Sequence, residues 1–125
     1  MIEPAITPLS YFFYKFLHQE PVKLGWSPKW DCKPDVDKDP YDSNQAIPTL
    51  LFGRYSKSIF NKSNLSLEIK KKEWISTFVY PLSGGFKPWN LIPEFSLKRL
   101  LIIDGFLSKY LGFLLGFRLL VVLEK

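Results

Sequence analysis

The chain has 125 residues, enough for one domain that buries roughly two-thirds of its unfolded surface, and its 46% hydrophobic and 17% aromatic content excludes a disordered or charged-tail polypeptide. Its 17 basic and 12 acidic residues give a net charge of +5, but only Lys70, Lys71 and Lys72 form a run, which excludes the concentrated basic face of a nucleic-acid binder. One cysteine, Cys32, and one histidine, His18, exclude a disulfide framework and a zinc site, and they fit a reducing, cytoplasmic setting.

Met1, Ile2, Glu3 and Pro4 put a carboxylate and a proline where a secretory signal has its basic region and apolar run. Thr7 followed by Pro8 is a helix start: threonine accepts from unpaired backbone donors, and proline is tolerated where no donor is needed. The predicted helix covers 8–17 and ends before His18. Tyr11, Phe12, Phe13, Tyr14 and Phe16 surround most of it, so more than one side calls for cover. Core packing explains Phe12, Phe13 and Phe16 without a ligand.

Residues 19–43 show no helical or strand period, and Pro21, Pro28, Pro34 and Pro40 punctuate them. Loops of this length are usually lids, binding loops or disordered. Trp26, Trp30 and Tyr41 argue against disorder, because aromatics in a loop need a surface to cover, so the segment reads as a lid or binding loop. Ser43 or Asn44 can cap a second helical region, with helix predicted over 48–52 and again over 55–60 around Gly53. A turn over 61–64 follows.

Leu65, Leu67 and Ile69 then alternate with Ser66, Glu68 and Lys70, which predicts a strand over about 65–72 with one wet face. Its lysines are of the kind that keep an edge strand from pairing with other chains. Residues 74–80 fit a strand and a helical turn equally, and Pro81, Ser83, Gly84 and Gly85 stop them. Leu100, Ile103, Leu107, Leu111 and Leu114 recur at helical spacing and predict a helix over 94–115, with Gly105 as a potential break. Asp104, Lys109 and Arg118 cut the apolar stretch 97–123 into pieces shorter than the roughly 20 residues a membrane span needs. The unbroken run Leu119, Leu120, Val121, Val122, Leu123 predicts a strand over 118–124 covered on both faces and paired on both edges.

These elements imply an α/β chain, mostly helices and loops, with an antiparallel strand pair at about 65–72 and 118–124. Only one other clear strand exists and it reads as an edge, so the apolar strand lacks a second neighbour. A two-stranded ribbon is marginal in water. The expectation is therefore a single partial domain over 1–125 whose sheet is completed by strands encoded elsewhere.

The succession Glu3-Pro4, Thr7-Pro8-Leu9-Ser10, His18 and Glu20, Asp39-Pro40-Tyr41-Asp42, Asn44-Gln45-Ala46-Ile47-Pro48-Thr49, Pro81-Leu82-Ser83-Gly84-Gly85-Phe86 and Phe117-Arg118-Leu119-Leu120-Val121-Val122-Leu123-Glu124-Lys125 resembles the carboxy-terminal part of bacterial class I S-adenosylmethionine-dependent methyltransferases, over nearly the whole chain. The resemblance implies a C-terminal fragment of a Rossmann-like fold whose seventh strand enters antiparallel between the fifth and sixth. Glu3-Pro4 would end the fifth strand, 65–71 would be the edge sixth, and 119–124 the inserted seventh. The implied partner is the missing N-terminal half of the domain. That half would hold the cofactor, with a glycine-rich turn after the first strand and an acidic residue after the second. Gly84-Gly85 follows Pro-Leu-Ser and precedes Phe-Lys-Pro instead of opening a helix, so no cofactor-binding residue and no metal ligand are expected, and the chain alone is expected to be inactive.

Methyl transfer by in-line displacement needs an oriented nucleophile, at times a general base, and exclusion of water. The resemblance lays the substrate over the carboxyl ends of the fourth and fifth strands, which makes Thr7, Ser10, Tyr11 and Tyr14 candidate substrate-binding residues; a plain cap also explains Thr7. His18 and Glu20 are the candidate catalytic pair, the imidazole acting as base or orienter and Glu20 fixing its tautomer. A capping or surface histidine is the plainer alternative. Asp42, Asn44 and Gln45 could hold a hydroxylated substrate, although capping alone explains Asn44. Residues 83–86 read as a tight turn in which glycine permits close backbone approach. The aromatic loop points to a small, apolar or lipid-linked acceptor. The alternative is a non-enzymatic module that rests on a membrane surface through the helix over 97–115 and nearby lysines, or that completes the sheet of a partner chain.

Overall fold

The computed structural model describes residues 1–17, 21–28, 44–62, 66–84 and 90–125. The described elements are β1 (Ile2–Pro4), α1 (Pro8–Phe16), α2 (Ile47–Leu51), α3 (Ser56–Lys62), β2 (Glu68–Ile75), α4 (Val79–Leu82), α5 (Glu94–Leu115) and β3 (Arg118–Glu124).

The apolar run forms β3, the middle strand of a three-stranded sheet of order β1-β3-β2. It is antiparallel to both neighbours, so β1 and β2 run parallel to each other on its two sides. The sequence pattern predicts a strand pair; the structure adds β1 as a third member, too short at three residues to display a period of two. Ile2, Glu3 and Pro4 stand opposite Leu120, Leu119 and Arg118. The Val121 N–H donates to the Met1 carbonyl (3.0 Å), and the Ala5 N–H donates to the Phe117 carbonyl (2.9 Å). Odd-numbered residues of β1 thus face β3, and the donor-less nitrogen of Pro4 falls on the outer edge, where a ladder loses nothing by it.

β2 covers 68–75 instead of the predicted 65–72. Trp74 and Ile75, whose pattern fits two conformations, pair with Leu119 and Arg118, and long-range register decides between them. The register slips between Ile69 and Lys71, a bulge at Lys70. The Lys70 ammonium lies 2.8 Å from Glu124 and 3.4 Å from Glu68; these carboxylates, Glu124 foremost, hold it above the usual lysine range. Lys71 meets Glu73 at 3.1 Å. The lysine-bearing strand is an edge, as its charge predicts.

β2 stops at Ser76, whose φ of 57° is left-handed backbone that a serine holds at a cost. The turn is fixed because the Ser76 carbonyl accepts from the Phe117 N–H at 2.8 Å. Glycine at this position is expected to raise the urea midpoint, and the β-branched Ser76→Val to lower stability by about 1–2 kcal/mol. The reverse order of midpoints would contradict the strain.

Leu119 and Val121 are buried with Ala5 and Phe52, and Leu51, Ile69, Trp74 and Leu123 pack around them. On the opposite face Leu120 is half-buried and Val122 exposed, so the run is covered on one face where its pattern predicts two. α2 supplies the cover on the buried face. It starts at Ile47, one residue earlier than predicted, after Ala46, which offers no side-chain cap. It is tied to the end of β1 by the Ile6 N–H donating to Thr49 Oγ1 (2.8 Å). The carbonyl of Phe52, which caps its carboxyl end, accepts from the Lys72 ammonium at 3.4 Å.

α1 follows the predicted course closely. Thr7 caps it in a reciprocal box with Ser10, and Pro8 occupies the first turn. Tyr14 is buried and Phe13 meets the Phe117 ring edge-on at 5.2 Å. Phe12 and Phe16 are exposed and lean on each other at 4.9 Å. Core packing therefore accounts for Phe13 but not for Phe12 and Phe16, which lie on the far side of the helix.

α5 runs unbroken from Glu94 to Leu115. Gly105 does not interrupt it, because a lone helical glycine weakens the ladder by only about 1 kcal/mol and leaves its hydrogen bonds in place. The helix lies against β2 at Gly112, where a Cβ would stand 2.8 Å from the Trp74 carbonyl oxygen. Glycine is needed there for close approach.

Candidate functional site

Beyond the carboxyl end of β1 the chain turns through Ile6 into α1, and Ile6, Thr7, Pro8, Tyr11, Leu24, Trp74 and Phe113 line a depression of about 310 Å³. Its walls are largely apolar, and Thr7, Tyr11 and the Trp74 indole are its polar side chains. The Thr7 hydroxyl donates to the Gly116 carbonyl (3.0 Å) and accepts from the Ser10 N–H (3.3 Å). The Ser10 hydroxyl donates to the Ala5 carbonyl (2.7 Å) and accepts from the Thr7 N–H (2.8 Å). Both hydroxyls are buried and committed to backbone, so they brace the junction of β1, α1 and β3.

The remaining sequence-predicted residues divide into three groups. Tyr14 is buried and does not line the depression, its ring 6.0 Å from that of Phe117. Asn44 does not cap α2 as expected. Its Oδ1 accepts from the Lys23 N–H (2.7 Å) and the Ala46 N–H (3.1 Å), while its Nδ2 donates to the Lys23 carbonyl (3.0 Å). The Gln45 N–H donates to the Pro21 carbonyl at 3.0 Å. Together they hold the segment 21–28 in place, and that segment contributes Leu24 to the depression. Trp26 covers the Tyr55 ring edge-on at 6.2 Å, which is the surface its loop needs. His18, Glu20 and Asp42, and with them most of the predicted lid, lie outside the described residues.

A second cavity of about 670 Å³ opens between β2 and α5, with Lys72, Trp74, Ser76, Asp104, Ser108 and Phe113 in its lining. Asp104 is its organising residue. One carboxylate oxygen, Oδ1, accepts from the Thr77 N–H (3.0 Å), the Thr77 hydroxyl (2.8 Å), the Phe78 N–H (2.9 Å) and the Val79 N–H (3.0 Å). These are the orphan donors at the start of α4, whose cap residue Phe78 has no side chain to serve them. Sequence reasoning registers Asp104 only as an interruption of an apolar stretch. The usable signal is that a lone carboxylate among leucines and isoleucines is too costly to bury unless donors converge on it.

Among the described residues no group of three histidine, cysteine, aspartate or glutamate side chains could hold a metal ion. No described helix is long and apolar enough to cross a membrane. The described part of the site thus offers shape, apolar contact and one phenol. No protein-family model matches the chain, and neither a curated protein nor a solved structure matches it.

Proposed function

We propose that this chain is the carboxy-terminal, substrate-side part of a class I S-adenosylmethionine-dependent methyltransferase of the cytoplasm, acting on a small or lipid-linked acceptor as part of a longer or split enzyme. The observation that carries the reading is the strand order: β3 runs antiparallel between β1 and β2, which are parallel to each other. A Rossmann-like methyltransferase sheet ends with the same 5-7-6 arrangement, in which Glu3-Pro4 closes the fifth strand and a capped helix starts at once. Further support comes from the outer edge of β1, which has no partner strand among the described residues and is where a fourth strand would join in this reading.

The described residues do not fit the cofactor. Gly84, with φ 86°, follows the helix α4 and not a strand, and no carboxylate lines the depression to receive ribose hydroxyls. The cofactor is assigned to the missing half, whose contribution is the methyl donor. In this reading Tyr11 meets the acceptor, Thr7, Ser10 and Tyr14 brace the helix that carries it, Asn44 and Gln45 hold the segment 21–28 beside it, Asp42 binds a hydroxyl of the acceptor, and His18 with Glu20 orients the acceptor or takes its proton.

The test is to co-express the chain with the segment encoded upstream of it and titrate S-adenosylmethionine by calorimetry. The pair is expected to bind and the 125-residue chain alone to give no heat. Micromolar binding by the chain alone, or an upstream frame without a glycine-rich strand-turn-helix, would count decisively against the reading.

A further inference from the structure

α5 is apolar around most of its circumference. The stripe it turns towards the protein holds Asp104 and Gly112, both buried, among the half-buried Leu100, Leu107, Ser108 and Leu115. The outward stripe is aromatic and aliphatic: Phe95 is 89% exposed, Ile102 74%, Phe106 64% and Phe113 55%. At about 100° per residue, spacings of seven, four and seven keep those four side chains within one narrow band. The exposed cations Lys98 and Lys109 border the band on one side and Arg99 on the other. The only acidic groups of the helix are Glu94, in its first turn, and Asp104, which is turned inward and occupied by the α4 donors.

We propose that this face of α5 docks on an anionic lipid bilayer, with the helix lying in the plane of the headgroups. Apolar side chains of this size reach the acyl boundary, and flanking lysine and arginine side chains keep their charges at the level of lipid phosphates while their stems lie along the apolar band. Charge complementarity selects this occupant. A second copy of the chain would bring Lys98, Arg99 and Lys109 against the same cations. Strands added at the outer edge of β1 would lie across β3 from β2, the strand on which α5 packs. The proposal does not depend on the methyltransferase reading, because it uses only α5 and its exposure.

Flotation of the full chain with phosphatidylcholine vesicles, with and without phosphatidylglycerol, tests it. The chain is expected to float with the anionic vesicles only and to be released by high salt, since surface potentials are screened within about 8 Å at physiological ionic strength. The triple variant Lys98→Glu, Arg99→Glu, Lys109→Glu should lose about a hundredfold in partitioning, roughly fivefold for each cation removed from an anionic surface. The variant Phe95→Ser, Ile102→Ser, Phe106→Ser changes only exposed positions, so it should keep the circular dichroism of the parent while no longer floating. The proposal is overturned if the parent remains unbound with both vesicles, or if the serine variant floats as well as the parent. It is also overturned if the parent forms a concentration-dependent dimer that the serine variant abolishes while neither floats.

Discussion

Replacing Asp104 by alanine is expected to lower stability by about 3 kcal/mol or more, the range for a buried charged acceptor whose donors are left without partners. The size follows from the count of groups that lose a partner: three consecutive backbone N–H groups, of Thr77, Phe78 and Val79, and the Thr77 hydroxyl all converge on one oxygen. Thr77 is itself buried, so water cannot take over without opening the junction between α4 and α5. Asp104→Asn keeps an acceptor of the same shape and removes the charge, and should cost about half as much. Urea denaturation measures both, and amide exchange at 77–79 should accelerate in the alanine variant before the rest of the sheet responds. An alanine variant within about 1 kcal/mol of the parent would mean that the four bonds are not what holds α4 in place.

The second large effect is a contrast between two glycines of one helix. Gly112→Ala is expected to destabilise by about 2–3 kcal/mol, because the new methyl would stand 2.8 Å from the Trp74 carbonyl oxygen and 3.0 Å from the Trp74 Cβ. Neither neighbour is the far end of a flexible chain, so the helix must lift off β2. Gly105→Ala meets nothing within 4 Å and replaces a poor helix former with the best one, so it should stabilise by about 1 kcal/mol. Thermal melts of the two variants should shift in opposite directions. Equal shifts would show that α5 does not pack against the strand as closely as described.

Local chemistry was the legible part. The Thr7-Pro8 start of α1 and the extent of α5 could be read residue by residue, because a cap and a helical repeat are written within a few positions of where they act. The lysines of β2 likewise announced an edge. What could not be read depends on partners distant in sequence. β1 is too short to carry a pattern, and the boundary of β2 was displaced because Trp74 and Ile75 take their conformation from Leu119 and Arg118. Asn44 carried a capping signature and spends its amide on Lys23 instead, an interaction visible only once the segment 21–28 lies beside it. Of the candidate site, Thr7 and Tyr11 line the depression beyond the carboxyl end of β1. That Thr7 and Ser10 are occupied by backbone was hidden, since a buried hydroxyl and a ligand-binding one look alike in a sequence.

The central position of β3 also dictates an order of assembly. Every other described element precedes it in the sequence, yet β1 and β2 touch only through it. During synthesis neither strand finds its ladder until β3 has emerged from the ribosome, and α5 emerges before the sheet on which it packs is complete. The nascent chain is therefore a natural client for a holding chaperone, and a stop codon anywhere before Arg118 would leave two unpaired strands and a sticky helix with nothing to join them.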